Sequence, residues 1–218
     1  MASDPLVLAF DTAAAHCAAA LVRGERLLAA RDEAMDRGQA ERLLPMLEEI
    51  LAEAGLAWSD LDALAVGVGP GNFTGVRIGV AAARGLAMGL AIPAVGISLF
   101  ERLAPAAGPA LVLARDPRGD LFAQPFADGA ALAPPARAET FARQALPPDT
   151  LCVGAEATVV AAELGLAADP AAVPVGMAGL ARLAIARLPR AAPPVALYLR
   201  PADARPMSEP PIVILDDA

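Results

Sequence analysis

Asp11 and Thr12 follow a short apolar run at residues 6–10, and they are the first side chains able to do chemistry. An acid at the end of a strand suits a nucleotide or metal site. The same acid also serves as an ordinary turn residue. The strongest local feature is the glycine-rich run Gly67-Val68-Gly69-Pro70-Gly71-Asn72-Phe73-Thr74-Gly75-Val76-Arg77-Ile78-Gly79. A strand, a tight turn and a helix start, in that order, present free backbone N–H groups and a positive dipole end, which suit an anion. The run has neither the Gly-Lys-Thr of a P-loop nor the dinucleotide spacing. Glycines that only permit tight turning and close packing are the alternative. Arg77 falls in the first turns of the helix and could pair with Asp11, Asp62 or a partner's carboxylate. Asp116, Arg118 and Asp120 cluster around Asp116-Pro117-Arg118-Gly119, which reads either as a cleft-facing group or as a turn between strands.

Several chemistries are excluded by what the chain lacks. His16 is the only histidine, and the two cysteines, Cys17 and Cys152, sit in apolar runs. No His/Cys metal cluster, no HExxH pattern and no serine triad can be assembled, so no metal ligand and no catalytic residue is assigned. The 25 acidic and 17 basic residues give a net charge of −8. A surface of that sign repels phosphate backbones and anionic membranes. Two unpaired thiols fit a reducing cytosol, and no basic stretch precedes an apolar one at the N-terminus, so a cytoplasmic location without a signal peptide is expected. Residues 78–95 are interrupted by Arg84 and rich in Ala and Gly, which predicts a buried helix rather than a membrane span.

Those residues need elements to position them. The apolar runs 6–10, 17–22 and 27–31, with a tight turn at 23–25, predict a strand followed by a hairpin. Residues 40–54 follow the helical period, with Gly55 as stop. Pro45 fits that helix only if it starts near Arg42 or has a distorted first turn. Ser59 is expected to cap a single turn to Asp62. A strand at 63–68, a helix from 74 or 75 to about 90, a strand at 94–97 and a short helix capped by Ser98 complete an α/β layer with a mixed sheet. Gly75, Gly79, Gly85 and Gly89 lie four residues apart in two pairs, a cost of roughly 3–4 kcal/mol against alanine that close approach of another backbone would explain. Seventeen of the 21 prolines lie after residue 103. Two lobes are therefore expected, 1–103 and a less regular, Pro-rich 104–218. The second is expected to hold strands at 111–114, 121–126 and 151–154. It should also hold helices at 140–145, 155–164 and 177–188, and an edge strand at 212–215.

The run Gly69 to Gly79 closely resembles the signature of the TsaB family, the dimerisation-type subunit of the machinery that makes threonylcarbamoyladenosine in tRNA. The family usually has Ser where Asn72 stands. Ala9-Phe10-Asp11-Thr12, Glu41-Arg42-Leu43-Leu44-Pro45-Met46, Asp116-Pro117-Arg118 and Tyr198-Leu199-Arg200-Pro201 resemble further family elements in the expected order. The resemblance is dense over 6–103 and scattered afterwards. It implies an α/β, actin-like fold of two ribonuclease-H-like lobes with mixed sheets flanked by helices. It also implies a non-catalytic subunit that binds and activates a TsaD-type catalytic paralogue. A TsaE-type ATPase joins the complex, tRNA is met only through it, and homodimers also form. The catalytic relatives hold their metal with two histidines on the early helix, where this chain has Asp36-Arg37-Gly38-Gln39-Ala40-Glu41.

Partner contacts are accordingly expected on the apolar faces of the two helices, at Leu43, Leu47, Ile50 and Leu51, and at Gly75, Arg77, Gly79, Ala82 and Ala83. Asp11, Thr12, Gly69, Gly71, Asp116 and Arg118 are the candidates for a vestigial nucleotide cleft. No cofactor of its own is expected beyond weak nucleotide binding, mostly through partners. The competing reading is an actin-like ATPase that uses the cleft between lobes.

Overall fold

The computed structural model describes residues 4–200. The chain opens with three antiparallel strands, β1 (Leu6–Asp11), β2 (His16–Arg23) and β3 (Arg26–Ala34). Helix α1 (Gln39–Glu53) leads to β4 (Ala63–Gly67), and α2 (Phe73–Leu90) leads to β5 (Ala94–Ile97). β4 and β5 add in parallel, giving the order β3-β2-β1-β4-β5. β1 and β4 are buried on both faces, as the central strands of a covered sheet must be. β3 forms an edge, where Arg42 pairs with Glu33 and Glu49, and Arg31 with Glu49 and Glu53.

After α3 (Leu99–Leu103) the pattern recurs. β6 (Pro109–Arg115) and β7 (Leu121–Ala127) form a hairpin, extended by β8 (Ala130–Ala131) and β9 (Ala136–Arg137). β10 (Leu151–Gly154) pairs in parallel with β6, and α4 (Ala157–Leu164) crosses to a parallel β11 (Ala167–Asp169). One face of this second sheet packs on Phe100 of α3, the other on Ala157, Val160 and Ala161 of α4.

The division at residue 103/104 is not kept by the packing. Helix α5 (Met177–Ile185) returns to the first sheet, where Met177, Leu180, Ala181 and Ala184 cover Val7, Ala9, Ala18 and Ala20. The reason is legible in β1 and β2. Leu6, Leu8, Phe10 and Leu21 face α1 and α2, whereas the opposite face is Val and Ala. Small side chains on that face let a short helix lie close.

Three local expectations also change. α1 starts at Gln39, so Pro45 stands well inside it. Pro45 and Glu41 are both exposed, so the Glu41 carbonyl that loses its N–H partner faces water. The turn at Trp58–Asp60 is built by Asp60, whose Oδ2 accepts from Ala57 N at 2.8 Å, rather than by Ser59. Residues 138–140 and 143–145 form two separate 3-10 turns instead of one helix. The strand expected at 212–215 lies outside the described residues. No helix among the described residues is long and apolar enough to cross a membrane.

Candidate functional site

The glycine-rich run wraps the end of β1. A Cβ on Gly67 would land on the Asp11 carboxyl group, one on Gly71 on the Ala13 carbonyl, and one on Gly75 on the Thr12 carbonyl oxygen. Thr12 Oγ1 donates to Gly75 O at 2.7 Å, and Asn72 N donates to Ala13 O at 2.6 Å. Asn72 caps α2, its Oδ1 accepting from Thr74 N and Gly75 N at 3.0 and 3.1 Å. Thr74 N and Gly75 N at this helix start are thus occupied from within the chain. The space that an anion would need holds the backbone of residues 12–13. Of the two readings of the run, close packing describes the geometry.

Asp11 is buried at the junction of the lobes. Its Oδ2 pairs with Arg102 Nη1 at 2.8 Å, and its Oδ1 accepts from Ala13 N at 2.8 Å. Arg102 Nε donates to Val175 O at 2.9 Å, and Val175 N returns a bond to Arg102 O at 2.9 Å. The arginine thereby ties the end of β1 to the segment before α5. His16 Nε2 stands 3.9 Å from Asp11 Oδ2, and its Nδ1 lies 3.4 Å from Asp32 Oδ1. Burial alone would raise the Asp11 pKa, but His16, the Ala13 N–H and Arg102 outweigh it and hold the carboxyl below its ordinary value. The Asp11 carboxylate in turn raises His16 against the opposing effect of burial.

A raised histidine pKa favours the folded state while the ring is charged, and that contribution is lost as pH rises through the folded-state value. Asp11 behaves oppositely, its contribution being lost as pH falls through its depressed value. Stability measured by urea denaturation is therefore expected to decline above the ordinary histidine pKa. A His16→Gln chain should show a flatter profile there. An unchanged profile in that variant would show that His16 does not contribute.

Arg77, one expected partner of Asp11, turns outward. Its guanidinium lies 3.7 Å from the Phe73 ring centroid, and its Nε donates to Tyr198 OH at 3.0 Å. Asp62 instead accepts from Leu6 N at 2.7 Å. Asp116 builds its own turn, with Oδ1 accepting from Arg118 N and Asp120 N at 3.0 and 2.9 Å. Its Oδ2 accepts from Arg200 Nε at 2.5 Å, and Arg200 also binds Asp120. Of the six cleft candidates, Asp11, Thr12 and Gly71 converge, and Gly69 joins them through the loop. Asp116 is held by Arg200, whereas Asp11 is held by Arg102, so Asp116 belongs to a separate anchor in the second lobe. Burial pushes the Cys17 thiol up to about 11, and raises Cys152 as well, so neither is poised as a nucleophile.

Two features were missed in the sequence. One is Arg102, which had no motif around it. The other is the strap at residues 194–200. Pro194 rests against Gly96, Leu197 N donates to Val68 O at 2.8 Å, and the Leu197 side chain touches the cores of both lobes. Tyr198 then stacks near Phe73 with ring centroids 5.2 Å apart, and Arg200 reaches the second lobe. The Tyr-Leu-Arg element was visible, but nothing local gave it a role.

The expected partner surface is corrected by burial. Leu43, Leu47, Ile50 and Leu51 lie in the core beneath α1, and Gly75, Gly79 and Ala83 lie in the core beneath α2. Ala82 is half-buried; only Arg77 of the set is exposed. These apolar faces are consumed by the chain's own sheet. The outer face of α2 instead presents Phe73, Arg77, Ala81, Gly85 and Met88.

Two lobes, each a mixed sheet begun by a hairpin and extended in parallel, define an actin-like α/β fold of ribonuclease-H-like lobes. A crystal structure described as a protein with similarity to peptidase YeaZ from Pseudomonas aeruginosa superposes with a TM-score of 0.67. It is 29% identical and covers 90% of this chain and 100% of that one. An uncharacterised protein of Mycobacterium bovis is 34% identical over 93% of this chain and 95% of its own length. TsaB of Haemophilus influenzae, named as a tRNA threonylcarbamoyladenosine biosynthesis protein, is 46% identical over 46% of this chain and 42% of its own length. The TsaD family model, tRNA N6-adenosine threonylcarbamoyltransferase, matches residues 32–121. The chain belongs to the TsaB (YeaZ) family. Its matches to TsaB of Haemophilus influenzae and of Escherichia coli span only about two-fifths of those proteins, 42% in each case.

Proposed function

We propose that the chain is a non-catalytic subunit that binds and activates a TsaD-type partner in forming N6-threonylcarbamoyladenosine next to the anticodon of tRNA. The observation that carries this reading is the family membership together with an uncovered face at the start of α2. There Phe73 is 51% exposed and Tyr198 47%, with Arg77 between them. Exposed aromatic and arginine side chains held rigid by one another are the composition of a protein interface. The partner would supply the metal and the transfer chemistry, a TsaE-type ATPase would join the same assembly, and tRNA would be met only there. The net charge of −8 is in keeping with a chain that leaves RNA binding to others. Asp11 is already neutralised by Arg102, so the chain would have little use for a nucleotide of its own.

The test is a tRNA modification assay with and without this chain, after co-purification with the TsaD-type partner. Full activity without the chain would overturn the proposal. Calorimetry with ATP and Mg²⁺ on the isolated chain separates the ATPase reading, which requires tight binding at one site. Ala81 is exposed on the same face, so Ala81→Arg is expected to weaken the association roughly tenfold or more, with the melting temperature unchanged. Wild-type affinity in that variant would place the interface elsewhere.

A further inference from the structure

The turn at Asp116–Asp120 lies apart from the cluster around Asp11, yet it grips the end of the strap. Along the strap the side chains alternate. Leu197 and Leu199 pack on the core of the second lobe, Leu197 on that of the first as well, and Tyr198 between them is exposed. One residue further, Arg200 Nε donates to Asp116 Oδ2 at 2.5 Å and Arg200 Nη2 pairs with Asp120. Asp120 also accepts from Arg137 Nη2 at 2.9 Å. A planar guanidinium that spans two carboxylates is held in one orientation, which a point charge would not be. The Asp116 side chain is only 5% exposed, so this pair is better shielded from solvent than a surface ion pair.

The contacts of Tyr198 with α2 are of the opposite kind. The hydrogen bond from Arg77 Nε to its hydroxyl is exposed, and so are the Phe73 and Arg77 side chains. Ring and cation contacts at exposed sites are weak and would not by themselves fix the ring. Its position is imposed along the chain from both sides. On one side Leu197 N donates to Val68 O; on the other stands Arg200, two residues after Tyr198's own anchor of the first side begins at Ala196 and Leu197 in the core. Release of Arg200 would leave the ring tethered from one side only.

We propose that Arg200 is a positioning residue for the partner face: by gripping Asp116 and Asp120 in the second lobe, it keeps Tyr198 against Phe73 and Arg77. The inference rests on the partner reading of that face, and adds that the second lobe controls it. If binding requires the docked ring, affinity falls in proportion to the fraction of chains in which the ring is docked.

Tyr198 is the only tyrosine, so the full chain labelled with 3-fluorotyrosine gives a fluorine NMR signal from that ring alone. In Arg200→Ala the signal is expected to move toward its position in the urea-unfolded chain. Affinity for the TsaD-type partner should fall roughly fivefold or more. Arg200→Lys should lie between, since an ammonium meets one carboxylate at a time. It keeps a cation beside Asp116, so it is the variant to read if Arg200→Ala does not fold. In a Tyr198→Ala background, Arg200→Ala should cost no further affinity, because its effect passes through the ring. A fluorine signal unchanged in both Arg200 variants would overturn the proposal. So would an affinity loss that adds to that of Tyr198→Ala, which would make Arg200 a direct contact. Wild-type affinity in Arg200→Ala overturns it where Ala81→Arg still weakens binding; wild-type affinity in both would overturn the partner reading itself.

Discussion

A Gly75→Ala chain is expected to lose about 3–5 kcal/mol of stability, most of what a domain of this kind has. The new methyl group would be forced into the Thr12 carbonyl oxygen, a backbone atom that cannot swing aside. Thr12 is held there by its own hydroxyl bond to Gly75 O and by the hydrogen bond from Asn72 N to the next carbonyl. Alanine in a helix interior gains about 1 kcal/mol over glycine, too little to offset the clash. The control is Gly85→Ala in the same helix, where the added methyl meets open space. That variant should be more stable by about 0.5–1 kcal/mol. Urea denaturation of both variants checks the pair. Equal stabilities would mean that the wrap of the glycine run around β1 is not as close as described.

An Arg102→Met chain is expected to lose about 3–5 kcal/mol, because it leaves the Asp11 carboxylate buried with no cation in hydrogen-bonding contact. Asp11 retains the Ala13 N–H and a distant His16, so part of its charge stays compensated. The folded-state pKa of Asp11 should rise in this variant, and the chain should lose stability at a higher pH on acidification than the wild type does. Asp11→Asn in the Arg102→Met background should recover part of the loss, since the uncompensated charge is gone. A double-mutant cycle reads the coupling directly. Additive losses would show that the two side chains act separately.

The contrast between these residues shows what could be read in advance. The first-lobe elements were legible because periodicity, Gly55, Ser98 and the glycine run each mark a boundary by local chemistry. Asp11, Thr12 and Gly71 could be named for the same reason. Which side of each helix is covered could not, because an amphipathic face reads alike whether its own sheet or a partner buries it. Leu43 and Gly79 were misplaced on that account. Arg102 and Arg200 act across 91 and 84 residues of chain, and no local pattern announces such a pairing. The position of α5 was hidden in the alanines of β1 and β2, a signal that only a helix already in place makes readable.

The return of α5 also has a consequence in time. The Val and Ala face of β1 is made within the first moments of synthesis, yet Leu180, which covers it, is added roughly 170 residues later. At translation speeds of about 5–20 residues per second, that face stays bare for on the order of 10–30 s. The first lobe is thus the first to be made and the last to be closed. During that interval an apolar sheet face is open to a chaperone, or to another nascent chain.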